Sequence, residues 1–146
     1  MGRNTRGFER LEKRLTKMPK TIRNETSKAL VKSAEETAEV QRSLAPVSVD
    51  GSHGNPPGAL RDSITATPPG GTTPAYGTGG SRKVPEGAAA VTAGNSGVRY
   101  SHFVERGTSK AEAQPFFWPG YRLTRTRNVR RIKRALNKAI KESKNV

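Results

Sequence analysis

The chain has no cysteine, which excludes a disulfide framework, a thiolate zinc site and a cysteine nucleophile. Large apolar residues are scarce. Leu, Ile, Val and Phe fill 25 of 146 positions, a share below the level usual for globular domains. Aromatic residues number eight, and the 12 acidic side chains are outnumbered by 27 basic ones. No apolar run approaches the roughly 18 residues of a membrane span, and the amino end carries no apolar signal core. The expectation is a soluble protein without a membrane partner that does not leave by the ordinary secretory route. Gly and Pro also total 25, so long stretches read as loop. The length suits one domain over 1–146. Its core is thin, and it is expected to be completed by neighbours, nucleic acid or its own copies.

The positive charge is concentrated at one end. Residues 1–46 carry a net +5, residues 47–120 a net +1 and residues 121–146 a net +9. More than half of the total of +15 therefore sits in the last 26 residues. A field that concentrated favours a polyanionic partner: DNA, RNA or an acidic protein face. The plainer reading is a solvated tail that aids solubility.

Apolar periodicity organises the ends of the chain. Phe8, Leu11, Leu15, Met18 and Ile22 recur at steps of three and four, the spacing of one helical stripe. Pro19 interrupts that stripe but is welcome in the first turn of a new helix. The spacing thus predicts a short helix over about 4–17 and a longer one over about 19–44, ending before Pro46. The stripe of the second helix is built from small residues, which permits close backbone approach with modest burial. Residues 46–58 read as a flexible loop. Ser63–Thr67 alternate as a short strand would, and residues 68–83, rich in Gly and Pro, read as a long, mobile, exposed excursion. The run from Glu86 to Ala93 suits a strand. With a turn at Asn95–Gly97 and a further element from Val98 to Tyr100, it resembles a β-hairpin.

Residues 100–118 hold most of the aromatic content. Phe103, Phe116, Phe117 and Trp118 are expected to be buried between the Leu30–Leu44 face of the long helix and Ile132 and Leu136 of a last helix. Each such ring can bury on the order of 150–250 Å². The last helix, basic over 121–146 and regular from about Arg122, has Val129, Ile132, Leu136, Ala139 and Ile140 on one stripe. Together these elements make an α+β fold: long amino-terminal helices and a carboxy-terminal helix packed on a small, mainly antiparallel sheet with long Gly/Pro-rich loops.

Catalytic patterns are missing. His53 and His102 have no metal-ligand spacing, the central acids Asp50, Asp62, Glu86, Glu105 and Glu112 form no recognisable pair, and no nucleophile elbow occurs. Gly77–Lys83 faintly resembles a phosphate loop, but Pro85 follows where an apolar helix should open. No enzyme, no cofactor and no metal are expected. The basic helix contains no base-reading motif, so contact with DNA would be through phosphates, blind to sequence and sensitive to salt. Its candidate contacts are Arg122, Arg125, Arg127, Arg130, Arg131, Lys133 and Arg134. A helix turns about 100° per residue, so these seven cannot share one face. Some of them must meet a neighbour and not the polyanion.

The order of the motifs resembles a known family. A long helix ends in Leu44-Ala45-Pro46-Val47, and after an insertion comes Gly58-Ala59-Leu60-Arg61-Asp62-Ser63-Ile64. Later come Tyr100-Ser101-His102-Phe103-Val104-Glu105-Arg106-Gly107-Thr108-Ser109-Lys110 and Ala113-Gln114-Pro115-Phe116-Phe117. Over about residues 8–142 this resembles the neck, or tail-completion, proteins of long-tailed double-stranded DNA bacteriophages. Two departures stand out: the loop before Gly58 is longer, and Arg106 replaces the usual aromatic before Gly-Thr. The resemblance marks Pro46, Gly58, Leu60, Tyr100, Phe103, Glu105, Gly107, Thr108, Pro115 and Phe116 as fold-determining. Gly107 is expected to cap a short helix in the left-handed conformation. The resemblance also implies a homo-oligomeric, usually hexameric ring at the head–tail junction of the virion, assembled in the host cytoplasm. Its partners would be connector and tail-tube or tail-terminator proteins, with double-stranded DNA passing non-specifically through the channel. The alternatives are a tail terminator, a capsid-side adaptor or a free, sequence-independent nucleic-acid-binding protein.

Overall fold

The computed structural model describes residues 9–10, 13–14, 17–51 and 53–145. Among the described residues from 20 onward, six elements follow one another: α1 (Lys20–Leu44), α2 (Ala59–Asp62), β1 (Thr65–Thr67), β2 (Ala90–Thr92), α3 (Ser101–Arg106) and α4 (Phe117–Lys144). The fold is α+β, as expected, with two long helices dominating a two-stranded sheet. Residues 9, 10, 13 and 14 are helical; Phe8, Leu11 and Leu15 of the first stripe lie outside the described residues. Pro19 occupies the N-cap position of α1, where its missing N–H costs no helical bond. At the other end Ala45 turns extended, with φ −64° and ψ 128°, because a residue before proline is pushed out of the helical region.

α1 and α4 pack as an antiparallel helix pair, the most extensive contact between elements among the described residues. Its seam is built from small and polar residues: Ala29, Ser33 and Thr37 on α1, Gly120, Thr124 and Ala139 on α4. Gly120 sits against Gln41. A Cβ there would lie 2.4 Å from Gln41 Cγ and 3.2 Å from the Gln41 backbone, so the helices approach closely only because this residue has no side chain. Buried hydroxyls then find partners across the seam. The Thr37 and Thr124 hydroxyls lie 2.9 Å apart, and Asn128 donates to Thr37 Oγ1 at 2.8 Å and to the Ser33 carbonyl at 3.2 Å. Gln41 Nε2 donates to the Phe117 carbonyl at 2.8 Å.

The apolar core lies at the other side of α1. Ala38 and Ala45 meet Leu60, Ile64, Ala93, Val98, Tyr100 and Phe116. Arg42 ties the helix to the strand layer by donating from Nε and Nη2 to the Ile64 carbonyl. Two expectations are corrected here. Of the four aromatics assigned to the core, Phe116 is buried, at 1% exposure, and Phe117 half-buried; Phe103 is 52% and Trp118 50% exposed. Consecutive residues at a helix start fan out by about 100° each, so Phe116, Phe117 and Trp118 cannot all point inward. Phe103 lies on the outer side of a six-residue helix whose Ser101 is buried.

The second correction concerns the hairpin. β2 pairs antiparallel with β1, in the register Thr65↔Thr92, Ala66↔Val91 and Thr67↔Ala90, and not with Val98–Tyr100. The expected turn exists: the Asn95 carboxamide oxygen accepts from the Gly97 and Val98 N–H groups. It leads straight into α3 instead of a strand. The long β1–β2 connection folds back on itself, with Gly70 N donating to Val84 O, Val84 N to Gly71 O and Thr73 N to Arg82 O. Thr73 is buried within it and donates to the Gly80 carbonyl at 2.8 Å.

Candidate functional site

The basic helix begins five residues before the position its periodicity marks. No side chain at the N-cap residue Phe116 caps it. The cap comes from Glu105 in α3: its Oε2 accepts from the N–H groups of Phe116 at 2.8 Å and Phe117 at 2.9 Å, and its Oε1 from Trp118 at 3.2 Å. One carboxylate thus satisfies three donors that a helix start leaves free, and its charge opposes the positive end of the helix dipole. Pro119 falls in the first turn, where its lack of an N–H is harmless.

Once started, α4 separates its own charges. Arg127 and Arg131 lean on α1, and each bonds one oxygen of Glu36. Arg131 donates further to Ser33 Oγ at 3.2 Å and Asn128 Oδ1 at 2.9 Å, and its side chain is mostly covered. The hydrogen bond from Arg131, assisted by the charges of Arg131, Arg127 and Lys32, holds the Glu36 carboxyl below its ordinary range, against the opposing effect of desolvation. Arg122, Arg125, Arg130, Lys133 and Arg134 are exposed and make no ion pair among the described residues. Of the seven candidate contacts, two are therefore engaged within the subunit and five face outward. The sequence reading did not single out Glu36. Its signal was present in a weak form, as an acid on the helix predicted to face a basic one.

Four of the residues marked by the resemblance, Pro46, Gly58, Leu60 and Tyr100, meet from both halves of the chain. Pro46 and Val47 at the end of α1, Gly58 and Leu60 at α2, and Tyr100, Val104 and Gln114 around α3 line one cleft of about 250 Å³. Tyr100 is buried, and this pushes its phenol pKa up; the His53 ring stacks on it at 4.4 Å. Phe103 stays outside, its ring 3.9 Å from that of His102. Pro115 is exposed, directly before the buried Phe116. Gly58 precedes α2 in the left-handed region.

Gly107 ends α3, but not in the left-handed helical conformation expected. Its φ of 75° goes with a ψ of 173°, a region in effect reserved for glycine. A Cβ there would meet Ala113 N at 2.7 Å. The following Thr108 closes the turn: its N–H donates to Ala111 O, and its hydroxyl accepts from the N–H groups of Lys110 and Ala111. The Gly-Thr pair thus folds the chain back so that Gln114 N reaches Val104 O at 2.8 Å and Phe116 arrives at Glu105.

The stretch from the residues before α1 through the Gly107 turn matches the family model described as "Bacteriophage HK97-gp10, putative tail-component", over residues 9–107. The chain belongs to this HK97-gp10-like family. The match covers about two-thirds of the chain and includes α1, both strands and α3. No curated protein and no solved structure matches the chain. Membership places the protein among bacteriophage tail components, a part of the virion that meets other tail or connector proteins. Within the HK97-gp10-like region lie Pro46, Gly58, Leu60, Tyr100, Phe103, Glu105 and Gly107; α4 with its basic face follows it. Among the described residues no helix is long and apolar enough to cross a membrane.

Proposed function

We propose that this HK97-gp10-like chain is the neck, or tail-completion, subunit of the head–tail connector. In this reading copies form a ring, six being the usual number implied by the resemblance, between capsid-side connector and tail-tube or tail-terminator proteins. The role is structural and involves no catalytic step. The observation that carries the reading is the division of charge on α4. Glu36 neutralises the two arginines at the α1 seam, while Arg122, Arg125, Arg130, Lys133 and Arg134 project into solvent. Repeating such a surface around a ring would be strongly self-repulsive unless phosphates or an acidic neighbouring ring offset it. Contacts of this kind are blind to sequence and let DNA slide. Loops 46–58 and 68–83 run over the surface, and limited proteolysis of the free subunit should cut in them before it cuts within 100–118.

The test replaces Arg122, Arg130, Lys133 and Arg134 with Gln. The folded subunit should melt as wild type does, because these side chains make no ion pair among the described residues, while particle assembly or DNA ejection becomes defective. Normal assembly and normal ejection at both low and physiological salt would leave the charge as a solubility feature. The exposed basic face also favours a second reading, a free nucleic-acid-binding protein. Gel filtration with duplex DNA at moderate salt separates the two: that reading requires tight binding by a monomer or dimer, whereas a neck subunit mainly self-associates.

A further inference from the structure

Two features are exposed and without a partner element among the described residues. The first is a groove of about 380 Å³ between α1, α4 and the β2 layer, with Leu30, Val91 and Ile132 in its floor and walls and Trp118, Tyr121 and Val129 along its edge. Trp118, Tyr121 and Val129 are all exposed, and the Trp118 and Tyr121 rings stand edge-to-face 5.9 Å apart. Aromatic residues in a partly desolvated groove are the usual anchors of protein contacts. The charged side chain lining this groove is Arg125, which makes no ion pair among the described residues.

The second feature is a turn after α1. Ser48 Oγ donates to Gly51 O at 2.6 Å and Gly51 N to Ser48 O at 3.4 Å, which leaves Val49 and Asp50 at the tip. Val49 is 89% exposed, more than any other large hydrophobic described. Asp50 beside it is exposed and makes no ion pair among the described residues. The turn is closed by its own hydrogen bonds, so little ordering is left for binding to impose.

We infer that copies of this chain associate head to tail, with the Val49–Asp50 turn of one subunit seated in the α1–α4 groove of the next. Val49 enters the apolar floor between Trp118 and Val129, and Asp50 meets Arg125. The inference rests on the ring reading above and names the surfaces that would build it. Apolar tip matches apolar groove, and the carboxylate matches the cation of the groove. The two surfaces differ, so each subunit keeps one of each available. Such a heterologous contact propagates into a ring where the rotation closes.

The absence of cysteine makes the test direct. Full-length Val49→Cys and Val129→Cys subunits are mixed and treated with a short bis-maleimide, with Lys141→Cys, on another side of α4, as control. The expected result is a cross-linked Val49→Cys/Val129→Cys pair and none with Lys141→Cys. Adding Arg125→Asp to the Val129→Cys subunit should lower the yield about tenfold or more through like-charge repulsion. Adding Asp50→Arg to the Val49→Cys partner should restore it. An oligomer seen by sedimentation without this cross-link overturns the proposed interface and leaves the ring reading standing. A chain that stays monomeric at every concentration, without the cross-link, overturns both.

Discussion

Around Phe116 the molecule is held as a small apolar protein is: Leu60, Ile64, Ala93, Val98 and Tyr100 close on one ring with Ala38 of α1 and Ala45 just after it. Along the α1–α4 seam the buried positions are instead small or polar, Ala29, Gly120 and Ala139 beside Thr26, Ser33, Thr37 and Thr124, joined by Asn128, Gln41 and the Glu36–arginine cluster. The first region draws its stability mainly from area removed from water. The second draws it from close approach and from hydrogen bonds and ion pairs between its polar groups, so it responds to charge and protonation. A chain this poor in large apolar residues can fill one core, and it joins its second layer with hydroxyls and guanidinium groups. The cationic helix is thereby attached through a polar face while its outer side stays free.

This contrast is sharpened most by Phe116→Ala. It should cost about 3–5 kcal/mol in a denaturant melt, whereas Trp118→Ala, two residues on, should cost under about 1 kcal/mol because half of that ring is already in water. Equal losses would erase the distinction between the core and the exposed aromatic edge. Glu36→Gln comes next, at about 1.5–3 kcal/mol. Its pH dependence follows from the sign of the shift. The carboxyl titrates lower in the folded chain than unfolded, so its contribution is complete above the unfolded value and disappears as pH falls through the folded one. Melting temperatures of wild type and variant should differ by a constant amount above about pH 5 and converge in acid; a gap independent of pH down to acid unfolding would show that Glu36 acts only through packing. Glu105→Ala should cost about 1–2 kcal/mol, read as fraying of the first turn of α4 by amide hydrogen exchange.

Both long helices were legible from a three-four apolar rhythm, and α1 also from a proline at each boundary that local physics explains. α1 begins at Lys20 after Pro19 and stops before Pro46, as the sequence predicts. What was not legible depends on contacts between distant residues. The start of α4 is set by Glu105, more than ten residues upstream, and no local capping residue announces it. The strand partner of Ala90–Thr92 lies across a long connection, while a nearer turn at Asn95 mimics a hairpin signal. In the aromatic cluster, nearness along the chain does not put side chains on a shared side, because consecutive helical residues diverge by about 100°. Of the candidate basic residues, spacing alone could establish that they diverge; which two are engaged needed the position of Glu36.

The cap on α4 also bears on the order of events during folding. Glu105 reaches Phe116, Phe117 and Trp118 across 11–13 residues, a short loop whose closure costs little chain entropy. The seam bonds, by contrast, join residues 76–98 apart. Helix nucleation is the unfavourable step, and the α3 carboxylate can assist it before α1 arrives. The α3–α4 corner would then form early and the α1 seam would close last. In that order Glu105→Ala slows refolding, and Glu36→Gln mainly speeds unfolding.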